Sequence, residues 1–255
     1  MTPHYPDLDG KVAVVTGGSA GIGAATCRSL AENGVRVVVA ARGAERADAV
    51  VEELRATGAD AVAVTADTTR MEDVLRVRDV ALDVFGPIDL LLPFAGGFVG
   101  PTPLIETGED EWRQVIDGNL TATFLALRAF VPDMVERGRG AVVTMASSTG
   151  RLLDVPITAS YAAAKAGIVQ LTRHAAIELG PHNVRVNCLA PATVLSERVD
   201  AVLSTELRAK VTGLSPLGRI GLPEDAANAA LFLLSDASGW LTGVTLDVAG
   251  GRVML

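Results

Sequence analysis

The chain has 255 residues, 49% of them hydrophobic, with 20% charged and only 4% aromatic. That length and texture suit one large folded unit with a real core, not a disordered or fibrous chain. A formal net charge of -8 argues against nucleic acid or an anionic membrane as a partner, and no apolar run approaches the ~18 residues of a membrane span.

In chain order, residues 1–7 lack the basic-then-apolar pattern of a signal peptide. An apolar run over 11–16 predicts a first strand, followed at once by Thr16-Gly17-Gly18-Ser19-Ala20-Gly21-Ile22-Gly23 and a helix over 22–33. Further strands are predicted over 35–41, 61–65, 88–95, 141–146, 184–190 and 244–248. Helices are predicted over 45–56, 71–85, 109–137, 159–179 and 223–235. Several strands are apolar throughout, which means a sheet covered on both faces. Gly34, Gly58, Gly86-Pro87, Gly138 and Gly180-Pro181 mark the stops. Alternation of this kind predicts an α/β fold: a single doubly wound (Rossmann) domain over 1–255, its seven-stranded sheet mostly parallel with helices on both faces.

The glycines after the first strand allow a tight turn and let a pyrophosphate approach the backbone N–H groups at a helix N-terminus. Downstream, Tyr161 and Lys165 stand four residues apart in Ser160-Tyr161-Ala162-Ala163-Ala164-Lys165. On a helix that spacing stacks them on one face. A neighbouring ammonium favours the phenolate and is expected to bring a pKa near ~10 toward the working range. Ser147 and Ser148 end the apolar run before this helix and place a hydroxyl beside the phenol.

Thr-Gly-x-x-x-Gly-x-Gly followed by Tyr-x-x-x-Lys resembles the short-chain dehydrogenase/reductase family, in particular its 3-oxoacyl-(acyl-carrier-protein) reductase-like members. The similarity runs from Gly10-Lys11-Val12-Ala13 to Gly250-Gly251. It implies an oxidoreductase in which Tyr161 exchanges a proton with the substrate oxygen and Lys165 tunes it and binds the nicotinamide ribose. A serine hydroxyl polarises the carbonyl, and Asn119 supports a proton relay. Gly17, Ser19, Ala20, Gly21, Ile22 and Gly23 would line the pyrophosphate, and Asp67 with Thr68 the adenine. Ala95 and Gly96 would permit close approach, while Pro191, Val194 and Ser196 would hold the carboxamide. Thirteen residues before the tyrosine is the usual place of the serine, which selects Ser148; a glycine three residues after it, Gly150, selects Ser147. Insertions fall more easily in loops than at a strand end, so Ser147 is preferred.

The second strand ends in Ala40-Ala41-Arg42-Gly43. Without an acid to hold a ribose 2′-OH, and with Arg42 to pair with a 2′-phosphate, NADP(H) is expected over NAD(H); Arg46 is a second candidate. Two departures from the family pattern stand out, Pro93-Phe94-Ala95-Gly96 for Asn-Asn-Ala-Gly and Ala249 for an aspartate. Pro93 also removes a backbone donor, so bracing beside the cofactor must differ. His4, His174 and His182 are scattered, no metal site is expected, and Trp112 and Trp240 read as packing residues. Cys27 and Cys188 lack metal-like spacing and suit a reducing cytoplasm.

The expected substrate is a small carbonyl or alcohol under an amphipathic loop at about 195–214. The alternatives are a 3-oxoacyl or polyketide thioester on a carrier protein, met by a basic rim of Arg137, Arg139 and Arg151, and a non-catalytic NADPH-binding regulator. The resemblance further implies a homotetramer joined through helices 109–137 and 159–179.

Overall fold

A computed structural model describes residues 2–97, 100–153 and 157–254. Seven strands form one sheet: β1 (Val12–Thr16), β2 (Arg36–Ala41), β3 (Ala61–Thr65), β4 (Leu90–Pro93), β5 (Gly140–Met145), β6 (Val184–Pro191) and β7 (Thr245–Val248). Their order is β3-β2-β1-β4-β5-β6-β7 and every ladder is parallel. The helices are α1 (Gly21–Ala31), α2 (Ala44–Ala56), α3 (Met71–Phe85), α4 (Glu109–Ile116), α5 (Ala122–Arg137), α6 (Ala159–Leu179), α7 (Glu197–Asp200), α8 (Thr205–Gly213) and α9 (Pro223–Leu234).

Period-two geometry divides each strand between two cores. Ala13, Val15, Val37 and Val39 point to one layer with Cys27 and Leu30 of α1, Leu54 of α2 and Leu231 of α9. Val12, Val14, Val38 and Ala40 point to the other, with Val77 of α3 and Phe130 and Met134 of α5. Burial on both faces explains why these strands are apolar throughout. The chain runs outward from β1 to β3, then returns to β4 at the other side of β1. Such a switch point opens a crevice at the carboxyl ends of β1 and β4.

Three expectations change. The helix expected over 109–137 is interrupted by a π-helical turn, Asp117–Thr121, between α4 and α5. The loop expected over 195–214 carries α7 and α8, and its ends are pinned by a bridge between Val194 and Gly221. Trp112 is 40% exposed and Trp240 99% exposed. Neither fills the core, because Trp240 lies in the connection between α9 and the edge strand β7 and Trp112 on the outer side of α4. Among the described residues, no helix is long and apolar enough to cross a membrane.

Candidate active site

The turn after β1 is built on close backbone approach. A Cβ on Gly23 would lie 2.1 Å from the Gly17 carbonyl oxygen, and one on Gly17 would lie 2.9 Å from the Ala95 backbone. Only glycine allows this packing. The N-cap of α1 is Ala20, which has no side-chain acceptor for the first-turn N–H groups. Those donors and the positive end of the helix dipole therefore face the crevice, as an anionic pyrophosphate requires. Ser19 and Ile22 flank the turn half-buried. Across the crevice, Ser196 caps α7 by accepting from the Val199 N–H, and a Cβ on Gly21 would sit 3.3 Å from Ser196 Cβ. Pro191 ends β6 and Val194 is buried at the bridge. The loop after β6 thus closes on the glycine turn.

The loop after β4, where Pro93 has no backbone donor, is braced by side chains. Thr16 Oγ1 accepts from the Ala95 N–H at 3.2 Å. Buried Asn119 holds the next residues: its Nδ2 donates to the carbonyls of Gly97 and Val115, both at 2.8 Å, and its Oδ1 accepts from the Gly97 N–H at 3.0 Å. A Cβ on Gly96 would meet Asn119 Oδ1 at 2.4 Å. The π turn adds a residue to the helix and aims Asn119 at this loop.

Arg42 is exposed just beyond β2. Ala41 is in register with Thr65, so Arg42 shares the sheet's carboxyl edge with Asp67. Hydrogen bonds from the Thr69 hydroxyl and N–H lead in holding the Asp67 carboxyl below its ordinary range, and the Arg42 charge adds to them. Thr68 is buried beside it.

The reacting groups come from β5 and α6. Ser147 Oγ accepts from Thr149 Oγ1 at 3.0 Å and shares a hydrogen bond with the Tyr161 phenol. Ser148 is 3% exposed, enclosed in the tight turn Ser148–Gly150. A Cβ on Gly150 would lie 2.6 Å from the Lys165 backbone. This contact seats the serine turn on α6, and it gives the serine-x-x-glycine spacing a physical cause. Thr158 caps α6 by accepting from the Tyr161 N–H at 3.3 Å. Sequence reasoning missed this residue, although a threonine just before a helix is a legible cap signal.

Lys165 is 3% exposed; its Nζ donates to the Met145 carbonyl at 2.8 Å and stands 5.4 Å from the centre of the Tyr161 ring. Burial pushes the ammonium down to about 8. Burial also pushes the Tyr161 phenol above its ordinary value, against the Ser147 hydrogen bond and the Arg198 charge. This reverses the expected direction for the phenol, because desolvation of the half-buried ring outweighs the stabilising contacts. Arg198 falls within the loop expected at about 195–214, but nothing in its spacing marks it as acting on Tyr161.

The described geometry fits a dinucleotide along the switch point, with a serine, a tyrosine and a lysine at its end. A family model described as enoyl-(acyl carrier protein) reductase matches residues 17–252. The chain belongs to the short-chain dehydrogenase/reductase family. This family member is 38% identical over 245 residues to the 3-oxoacyl-(acyl-carrier-protein) reductase FabG of Staphylococcus aureus, covering 96% of this chain and 98% of that one. It is 36% identical over 257 residues to an A-factor type gamma-butyrolactone 1′-reductase (1S-forming) of Streptomyces virginiae, covering 100% of both. A solved structure of 7α-hydroxysteroid dehydrogenase complexed with NADH and 7-oxo glycochenodeoxycholic acid superposes with a TM-score of 0.93 at 35% identity, covering 98% and 97% of the two chains. This short-chain dehydrogenase/reductase is an oxidoreductase acting between carbonyl and alcohol.

Proposed function

We propose that the whole chain works as one dinucleotide-binding unit that reduces a ketone of a small molecule with NADPH. The observation that carries this reading is the Ser147–Tyr161 hydrogen bond, with Lys165 buried beside the ring. When bound, NADPH would supply the hydride to the carbonyl carbon and so become NADP+. Tyr161 donates the proton to the carbonyl oxygen, which becomes the alcohol, and Ser147 hydrogen-bonds the same oxygen to fix its place. Lys165, with its pKa about 8, restores the proton to Tyr161. Both side-chain groups of Asn119 are committed to backbone partners, so its side chain positions the loop after β4, and support of the proton relay falls to its backbone.

The turn Gly17–Gly23 holds the pyrophosphate, Asp67 and Thr68 the adenine side, and Ala95, Gly96, Pro191, Val194 and Ser196 the nicotinamide side. Arg42 pairs with the 2′-phosphate. NADP over NAD rests on Arg42 and on the apolar Ala41 at the end of β2.

A free small carbonyl is favoured over a carrier-bound thioester because the expected basic rim does not assemble. Arg137 pairs with Asp89 and Asp133, and Arg139 lies 3.6 Å from Asp89. Both precede β5, at the opposite end of the sheet from Ser147. Arg151 pairs with Asp247 at 2.9 Å. We also place the protein in the cytoplasm as a homotetramer, a reading supported by Phe124 on α5 and Ile177 on α6, exposed apolar residues on the two helices expected to join subunits.

The test is NADPH oxidation with ketones, quinones, β-keto esters and 3-oxoacyl thioesters, with Tyr161→Phe as control. Turnover on a ketone, lost in the variant, supports the proposal. Turnover on thioesters alone moves it to the carrier-bound class, and cofactor binding without turnover on any carbonyl favours an NADPH-binding regulator.

A further inference from the structure

Thr149 lies buried in the turn Ser148–Gly150, two residues beyond Ser147. Its Oγ1 donates to Ser147 Oγ at 3.0 Å, and its backbone N–H donates to the same oxygen at 3.3 Å. The turn has little room to move these donors. Gly150 packs so closely on α6 that a Cβ there would lie 2.6 Å from the Lys165 backbone.

A serine hydroxyl has one proton to give and two lone pairs that accept. With both lone pairs taken up by Thr149, Ser147 acts as a donor. The Pro191 carbonyl stands 3.5 Å from Ser147 Oγ, outside the usual O–H···O range, so it does not hold that proton. The Tyr161 phenol is hydrogen-bonded to the same serine and receives it. We propose that Thr149 is a positioning residue that fixes Ser147 as a donor, so that Ser147 and Tyr161 both direct a proton at the carbonyl oxygen of the substrate. Without the threonine hydroxyl, one lone pair of Ser147 opens and accepts from Tyr161 itself. That contact turns the tyrosine proton toward the serine and away from the carbonyl, and it favours the neutral phenol over the phenolate. A donor aimed before charge develops on the oxygen needs no reorganisation during the reaction.

The inference rests on the reductase reading, and its test separates the two. NADPH-dependent reduction of the same panel of ketones, quinones, β-keto esters and 3-oxoacyl thioesters is measured for the wild type, Thr149→Val and Thr149→Ser. Ser147→Ala and its combination with Thr149→Val complete a cycle. Thr149→Val keeps the side-chain shape and is expected to lower kcat by about tenfold, the loss of one hydrogen bond, with KM for NADPH constant. Thr149→Ser restores the donor and is expected to hold kcat within about twofold of the wild type. In the Ser147→Ala background, Thr149→Val is expected to cost nothing further, because the hydroxyl acts through the serine. In parallel, ionisation of Tyr161 is followed by phenolate absorbance in a Tyr5→Phe background, where it is the only phenol. This readout needs no turnover. At each pH where the proteins stay folded, Thr149→Val is expected to be less ionised than the wild type, and Thr149→Ser equal to it. Where the wild type reduces a carbonyl, three kinetic results overturn the proposal: an unchanged kcat in Thr149→Val, no recovery in Thr149→Ser, or an equal loss without Ser147. The last assigns the threonine to packing of the turn. Equal ionisation in all three proteins overturns it with or without turnover. Lower ionisation in Thr149→Val, with no carbonyl reduced by the wild type, keeps Thr149 as the residue that orients Ser147 and removes the reductase reading.

Discussion

Asn119 grips Gly97 at both of its backbone groups, donating to the carbonyl at 2.8 Å and accepting from the N–H at 3.0 Å. A single side chain thereby braces the loop after β4, and it ties the π turn between α4 and α5 to the floor of the crevice.

Replacing Asn119 by alanine strands the Gly97 N–H and two carbonyls. Each buried orphan costs about 1–3 kcal/mol. For a chain of this size, Asn119→Ala should lower Tm by about 10 °C or more and weaken binding of NADPH, read by fluorescence titration. Unchanged Tm and unchanged cofactor affinity would show that the brace is redundant.

The two serines separate by function. Ser147→Ala removes the hydrogen bond to the Tyr161 phenol and should reduce kcat by about 100-fold, the scale for losing one preorganised donor. Ser148 is enclosed in its turn, so Ser148→Ala should cost stability and leave kcat within a few-fold. Steady-state kinetics of both variants decide, and a larger kcat loss at Ser148 reverses the assignment.

Lys165 predicts a pH dependence of stability. Its folded pKa is about 8, below the ~10.4 of an unfolded lysine. Between those values the unfolded chain binds more protons, so stability rises with pH through this window. The cost of the buried ammonium is fully present below pH 8 and fades toward pH 10, a change of about 3 kcal/mol. Urea unfolding of the wild type and Lys165→Met from pH 7 to 10 should show the variant's stability advantage shrinking as pH rises. A constant difference would mean that Lys165 titrates as an ordinary lysine.

Cofactor choice should turn on Arg42. Arg42→Ala is expected to raise KM for NADPH by about tenfold or more and to leave KM for NADH nearly unchanged, because only the former carries the phosphate that pairs with a guanidinium. Equal effects on both cofactors would remove Arg42 from the 2′-phosphate site.

Much of this was legible in the chain. Residues 61–65 and 71–85 form β3 and α3 with the expected bounds, and 159–179 forms α6, because strands buried on both faces and amphipathic helices write their periods directly into the sequence. The pairing of Tyr161 with Lys165 follows from helical spacing alone. The π turn, the brace of Asn119 on Gly97 and the exposure of Trp240 were not legible, since each depends on which distant segment lies alongside. The same holds for the basic rim, whose arginines are drawn to Asp89, Asp133 and Asp247.

By itself the sequence determined the parallel α/β architecture, the glycine turn at the first helix and the family to which the chain belongs, because local patterns of glycine, apolar residues and fixed spacings carry these. Only the tertiary structure decided that the serine bonded to Tyr161 is Ser147, that burial and not Lys165 dominates the phenol's pKa, and that Arg198 reaches the site. Those are relations between residues on separate elements, and their distances and desolvation exist only once β5, α6 and α7 pack together.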